Sequence, residues 1–245
     1  MRAVDALILF GGGVFAGVIN AMAGGGSLLT VPLLAIAGVE GLVANGTNRV
    51  AVVIQNLSSG YGYARRGAVN WSETTRILVP TLVGGFVGAV VVSGFDDAVF
   101  ERLFGFLMIP LLGLSLWKKP KIDAPQKPWP LWVVMLVFFA IGLYAGAIQA
   151  GVGLILLLVL SRAGFDLVTA NATKTVVILG VSLTALVIFI SKGQVRWLPA
   201  LVLSAGSAVG GYVGSQIAVE GGEKVIKPVL VVAVFALAGR MIGLY

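Results

Sequence analysis

Two cations, Arg49 and Lys174, lie within apolar stretches that hold no carboxylate, and that combination suits one kind of chemistry, the holding of an anion. Beside them stand amides and hydroxyls: Asn45, Thr47 and Asn48 next to Arg49, and Asn171 and Thr173 next to Lys174. Asn20 and Gln149 each precede a glycine cluster, Gly24-Gly25-Gly26-Ser27 in one place and Gly151-Val152-Gly153 in the other. Amide N–H groups donate to oxyanions. A glycine-rich segment opening a helix can aim free backbone N–H groups, at the positive end of the helix dipole, toward the same target. The second cluster lacks the serine, since Leu154 stands opposite Ser27, and no Gly-Lys-Ser/Thr follows the first, so neither is a nucleotide phosphate loop.

Other chemistries lack their residues. The chain contains no histidine and no cysteine, which removes the commonest metal ligands, the usual proton shuttle and any thiol nucleophile. Its acidic residues fall near segment ends or loops, so no buried carboxylate pair offers a general base. No enzyme activity, catalytic residue, metal site or cofactor is expected.

These residues need elements to position them. The chain is 58% hydrophobic and 11% charged over 245 residues, with a mean hydropathy of +1.03. Soluble domains carry about 25% charged residues, so this is a polytopic, all-α membrane protein. Stretches long enough to span lie near 5–22, 43–64, 74–93, 97–117, 131–149, 169–190, 197–218 and 223–244. The first, with Ala6 to Ile19 at its centre, reads as a retained helix rather than a signal peptide, because its counterpart near Val133 is internal. Shorter apolar pieces, Ser27 to Ala37 and Leu154 to Ser161, follow the glycine clusters. About 11 helical residues cover roughly half of a ~30 Å hydrocarbon core. These pieces read as broken or re-entrant helices, which survive at membrane depth only when protein or a cavity surrounds them.

The chain is also duplicated. Ala44-Asn45-Gly46-Thr47 matches Ala170-Asn171-Ala172-Thr173, and the same register pairs Trp71 with Trp197 and Gly84-Gly85-Phe86-Val87-Gly88 with Gly210-Gly211-Tyr212-Val213-Gly214. A shifted register pairs Gly13 and Gly17 with Gly142 and Gly146, and these small-xxx-small pairs suit close helix packing. The expected organisation is a first repeat over 1–117, a linker over 118–130 and a second repeat over 131–245, each of four to five helices. Homologous halves with broken helices are a transporter pattern, with the substrate bound where the halves meet. The helix from Ala44 bears one polar stripe of Asn45, Asn48, Arg49, Asn56, Ser59 and Tyr63, a face that a buried site would need.

The net charge of +7 gathers at segment ends, as the positive-inside rule requires, and not in a stripe that would track nucleic acid. Placing Lys192 and Arg196 on the cytoplasmic side with Arg65, Arg66 and the linker lysines favours four spans per half with the short pieces dipping and returning. If the short pieces cross instead, each half has five passes and the halves are inverted. The alternative function is a passive anion channel, which would use the same duplication. Partners are a small anionic substrate and the lipid bilayer, with a homodimer left open.

The stretch GVFAGVINAMAGGGSLLTVPLL, the following ANGTNR and the later ATKT resemble the sulfite exporter TauE/SafE family over nearly the whole chain. That resemblance implies multi-pass placement in a bacterial inner membrane. It also implies transport, in the export direction, of sulfite, sulfoacetate or another organosulfonate. The family's motif regions map onto Asn20, Gly24 to Ser27, Asn45 to Arg49, Gln149 and Asn171 to Lys174.

The segment Lys118 to Lys127 holds four lysines and joins the halves, so it should face the cytoplasm. A single cysteine placed at Gln126 in this cysteine-free chain should resist an impermeant thiol reagent in intact cells. Ready labelling from outside would reverse the orientation.

Overall fold

In the computed structural model residues 1–116 and 129–219 are described, and among them the chain is helical without strands. The helices are α1 (Ala3–Ala23), α2 (Ser27–Ile36), α3 (Gly41–Ala64), α4 (Trp71–Val92), α5 (Asp97–Leu116), α6 (Leu131–Ala147), α7 (Val152–Arg162), α8 (Leu167–Ser191) and α9 (Trp197–Val219). The span expected over 223–244 and the lysines of the linker lie outside the described residues.

Local chemistry sets the ends. Asn70 starts α4 by accepting from the Glu73 N–H, and Asp166 starts α8 by accepting from the N–H groups of Val168 and Thr169. Helix α1 stops where Gly24 adopts φ of 80°, a left-handed conformation that costs glycine nothing. Helix α6 stops at a stretch in which Gln149 and Gly151 take φ of 67° and 69°. After each break a short helix follows. Helix α2 turns back along α1: Gly26 lies against the Ala16 carbonyl, and Leu33 lies beside Gly12.

Glycine positions also give helix directions. A Cβ on Gly13 would lie 2.7 Å from the Leu203 carbonyl, and one on Gly17 2.7 Å from that of Ser207. Farther along, Gly214 faces Val18, so α1 and α9 run parallel at backbone contact. Helices α4 and α6 form the equivalent pair, with Gly142 on Thr81, Gly146 on Gly85 and Gly88 on Leu143. Gly46 sits by Phe189 and Gly60 by Thr175, making α3 and α8 antiparallel, whereas Thr47 at Arg196 and Gly62 at Ser215 make α3 and α9 parallel. Thr74 at Thr173 and Gly85 at Val181 set α4 parallel to α8.

Helices α1, α3 and α9 therefore point one way, and α4, α6 and α8 the other. Since α1 and α6 open the two repeats, the repeats are inverted, and the first helix of each packs on the fourth of the other. This corrects the parallel arrangement that charge placement favours. The short helix carries the chain back toward the side from which α1 started, so that α1 and α2 run to the break and return, and α3 points the same way as α1. Lys192 and Arg196 then fall at the end where α1 begins, opposite Arg65 and Arg66. Two cations in a short loop are a weak topological signal, and backbone packing at the glycine pairs outweighs it.

The exterior is apolar, with Phe106, Leu7 and Trp132 all at least 70% exposed, as a lipid-facing surface requires. Trp71 and Trp132 stand exposed at the starts of α4 and α6 and Trp197 at the start of α9, the two ends where an interfacial aromatic belt belongs. Among the described residues, α1, α4, α8 and α9 are long and apolar enough to cross a membrane. Helix α3 has 24 residues, but its buried polar stripe lowers its hydropathy.

Ser72 and Ser191 are exposed, and the inverted arrangement puts them at opposite ends. Single Ser72→Cys and Ser191→Cys proteins should label from opposite sides of sealed vesicles, with Ser72→Cys on the side of the linker. Labelling of both from one side would rule out inverted repeats.

Candidate functional site

A helix that ends inside a bilayer leaves its last carbonyls without partners and carries partial negative charge there. In hydrocarbon each unsatisfied group costs several kcal/mol. At the end of α6, Arg49 supplies the donors: Nη1 donates to the Ala145 carbonyl at 2.6 Å and Nη2 to that of Gly146 at 2.6 Å. Asn45 adds its Nδ2 to the Ala147 carbonyl at 2.8 Å. The guanidinium also donates to Gln149 Oε1 at 2.5 Å and lies 5.5 Å from the centre of the Phe189 ring.

The other break repeats the arrangement with exchanged halves. Lys174 Nζ donates to the Asn20 carbonyl at 2.7 Å and the Ala21 carbonyl at 3.3 Å, and to Asn171 Oδ1 at 2.7 Å. Asn171 Nδ2 reaches the Met22 carbonyl at 3.2 Å. Each duplicated Asn with its nearby cation thus closes the broken first helix of the opposite half. The threonines of the motif extend the exchange to the fourth helices. Thr47 Oγ1 accepts from the Arg196 N–H at 2.9 Å, and Thr173 and Thr74 hydroxyls lie 3.3 Å apart. Arg49 and Lys174 are at most 1% exposed, so neither reaches the headgroups.

The two breaks meet. Gly24 and Gly153 lie backbone to backbone, too close for a Cβ on either, and Gly26 has no room against Ala16. These glycines are explained by close approach, and Gly151 by its φ. Ser27 Oγ accepts from the Gly151 N–H at 3.0 Å, so the serine present in one cluster serves the other. Asn20 Nδ2 donates to Gln55 Oε1 at 3.0 Å.

Several polar atoms in this region are fully buried without a hydrogen-bond partner: both amide atoms of Asn48, Oδ1 of Asn20 and Asn45, Nε of Arg49 and Nε2 of Gln55. Buried polar atoms are nearly always satisfied, so a cluster of exceptions asks for an explanation. Asn48, which aligns with Lys174, is 0% exposed. Gln55 was not among the residues expected from the sequence, although it lies seven positions after Asn48 and so continues the same helical face. Tyr144, whose hydroxyl donates to the Ala150 carbonyl at 2.5 Å, was also missed. Aromatic residues in apolar segments carry no distinguishing pattern.

The family model described as Sulfite exporter TauE/SafE matches residues 9–241. A probable membrane transporter protein of Haemophilus influenzae is 31% identical over 239 residues, covering 96% of this chain and 93% of its own. The probable membrane transporter protein ORF9 of a Sinorhizobium species is 32% identical, with 96% and 91% covered. For the probable membrane transporter protein YfcA of Escherichia coli K12 the identity is 27%, with 96% and 88% covered. No solved structure matches.

The caps alter what removal of a cation should do. Besides any role toward an anion, the Arg49 guanidinium holds two carbonyls and Gln149. Arg49→Ala should lower stability by ~2–4 kcal/mol, since hydrogen bonds to charged groups are worth about 1.5–3 kcal/mol and the carbonyls stay buried. Arg49→Lys should recover part of it. Thermal unfolding in detergent reads the change, and an unshifted midpoint for Arg49→Ala would contradict the cap.

Proposed function

The chain belongs to the sulfite exporter TauE/SafE family and is a multi-pass membrane transporter, and from that premise we propose that it carries sulfite or an organosulfonate outward across the inner membrane, through the junction of its two repeats. The observation that supports this most is the sign of the interior. Arg49 and Lys174 are buried, and among the described residues the one buried acid is Asp5, which is bridged to Arg2 at 3.1 Å. The two cations offset the negative ends of α1 and α6. The positive ends of α2 and α7 at the same breaks have no acidic side chain to offset them. What remains is a desolvated region of net positive potential with donors to spare, the complement of a small oxyanion.

In this reading the anion binds near the backbone N–H groups of Gly25, Gly26, Ser27 and Gly153, since those of Gly24, Gly151 and Val152 already hold partners. Asn48 Nδ2, Gln55 Nε2 and Arg49 Nε, all buried without a partner, supply further donors, while Asn20 positions Gln55 through its own amide. Arg49 and Lys174 act through field as much as through contact, because their hydrogens already hold helix ends. An anion leaving a cell with a negative interior gains roughly 2.3 kcal/mol per charge per 100 mV, so export can run downhill without a coupling ion.

Asn48 separates transport from structure. Both of its amide atoms are unpartnered, so Asn48→Leu should leave thermal stability unchanged or raise it, because replacing an unsatisfied buried polar group by an apolar one of similar size removes a desolvation cost. The same substitution should abolish sulfite and alkanesulfonate flux into proteoliposomes. Normal flux in Asn48→Leu would remove Asn48 from the site. Counterflow by the unaltered protein distinguishes a transporter from a passive channel, which would show none.

A further inference from the structure

A cavity of about 570 Å³ opens at the end of the molecule where α4, α6 and α8 begin, apart from the glycine junction. Its size falls within the ~300–1,000 Å³ of small-molecule sites, and a bare inorganic oxyanion would fill only a small part of it. The lining is of two kinds. Asn70 and Arg76 present polar groups from the first turns of α4, and Trp129, Phe138 and Phe165 present aromatic surface. Glu73 and Asp166 line it as well. Asp166 Oδ1 is taken up by the N–H groups of Val168 and Thr169, and among the described residues Arg76 is in no salt bridge. Glu73 and Asp166 sit at the starts of α4 and α8, where the positive helix ends offset their charge and leave Arg76 as the cation of the lining.

The cavity adjoins the route to the junction. Thr74 follows Glu73 directly, and its hydroxyl lies 3.3 Å from that of Thr173, the residue before Lys174. Both threonines are fully buried, and Thr173 directly precedes the lysine that caps the end of α1. Among the described residues the equivalent place at the opposite end is held by close contacts. There Gln194 donates to the Ser93 carbonyl at 3.1 Å, its own carbonyl presses on Gly46, and the Arg196 N–H is bound by Thr47. Ala68 and Asn70, which occupy the positions of Gln194 and Arg196 in the first repeat, line the cavity instead.

We propose that this cavity is an antechamber that binds an organic anion with an apolar tail before it reaches the junction, the anionic head on Arg76 and Asn70 and the tail against Trp129 and Phe165. This rests on the anion-transport reading for its direction of travel, but the site is a separate one. The cysteine-free chain allows a direct test. Ala163 lines the cavity, while Val79 lies on an exposed face of α4.

Purified Ala163→Cys protein should react with a water-soluble thiol reagent, and butanesulfonate should slow that reaction where equal sulfite does not. Val79→Cys should show no such protection. Adding Arg76→Gln to Ala163→Cys should remove the protection. In proteoliposomes Arg76→Gln alone should raise the KM for butanesulfonate by about tenfold or more with little change in kcat, as loss of a hydrogen bond to a charged group implies. Butanesulfonate flux without protection at Ala163→Cys would overturn the antechamber, as would protection that persists in the Arg76→Gln background. Protection by sulfite as strong as by butanesulfonate would overturn the tail assignment. Arg76-dependent protection in a protein that moves no anion would support the antechamber and sink the transport reading instead.

Discussion

Breaking a helix where no water can reach exposes carbonyls that must find donors inside the protein, and the arrangement of this chain follows from how two such breaks are closed. A neutral donor could satisfy one carbonyl. Arg49 and Lys174 each satisfy two and bring a positive charge against the negative end of the helix dipole. Each cation sits on the third helix of one repeat and closes the first helix of the other. The closure therefore also ties the repeats together, and neither break is complete without the opposite half.

The same exchange governs packing. Lipid supplies no hydrophobic drive for helices to associate, so close backbone contact must supply it. Gly13 and Gly17 against α9, and Gly142 and Gly146 against α4, bring backbones within reach of one another where any side chain would clash. Inverted pairs of this kind make a scaffold with two equivalent edges around one junction, and such a scaffold can open toward either side of a membrane. In this structure the two ends differ. Among the described residues one holds a cavity at Ala68 to Asn70, and at the other Gln194 donates to the Ser93 carbonyl.

Polarity is arranged opposite to that of a soluble protein. Large apolar side chains lie outside, and Asn20, Asn45, Asn48, Arg49, Gln55, Asn171 and Lys174 lie within. Interior polarity on this scale is costly in a bilayer unless it is satisfied or used. Most of it is satisfied across the breaks. Single atoms of Asn20, Asn45, Arg49 and Gln55 are not, and Asn48 has neither amide atom partnered, which is what the proposed transport role would use.

Much of this was legible in the sequence because its causes are local or periodic. Composition and apolar run length specify a helical membrane protein, the glycine clusters mark the breaks, and the conserved register of Asn, Thr and Trp between positions 45–71 and 171–197 reveals the repeats. The burial of Arg49 and Lys174 away from acids could also be read, since the lack of nearby carboxylates is visible in one dimension. What only the tertiary structure decided is the direction of the repeats and the partners of those cations. Arg49 meets carbonyls nearly 100 positions away and Lys174 carbonyls more than 150 away. Although Gln149 and Asn171 add side-chain acceptors, most of these partners are backbone groups, which every residue possesses and no sequence pattern marks. Gln55 was hidden for a related reason: the α8 residue opposite it in the duplicated register is Val181, so the repeat that disclosed the other polar positions was silent there.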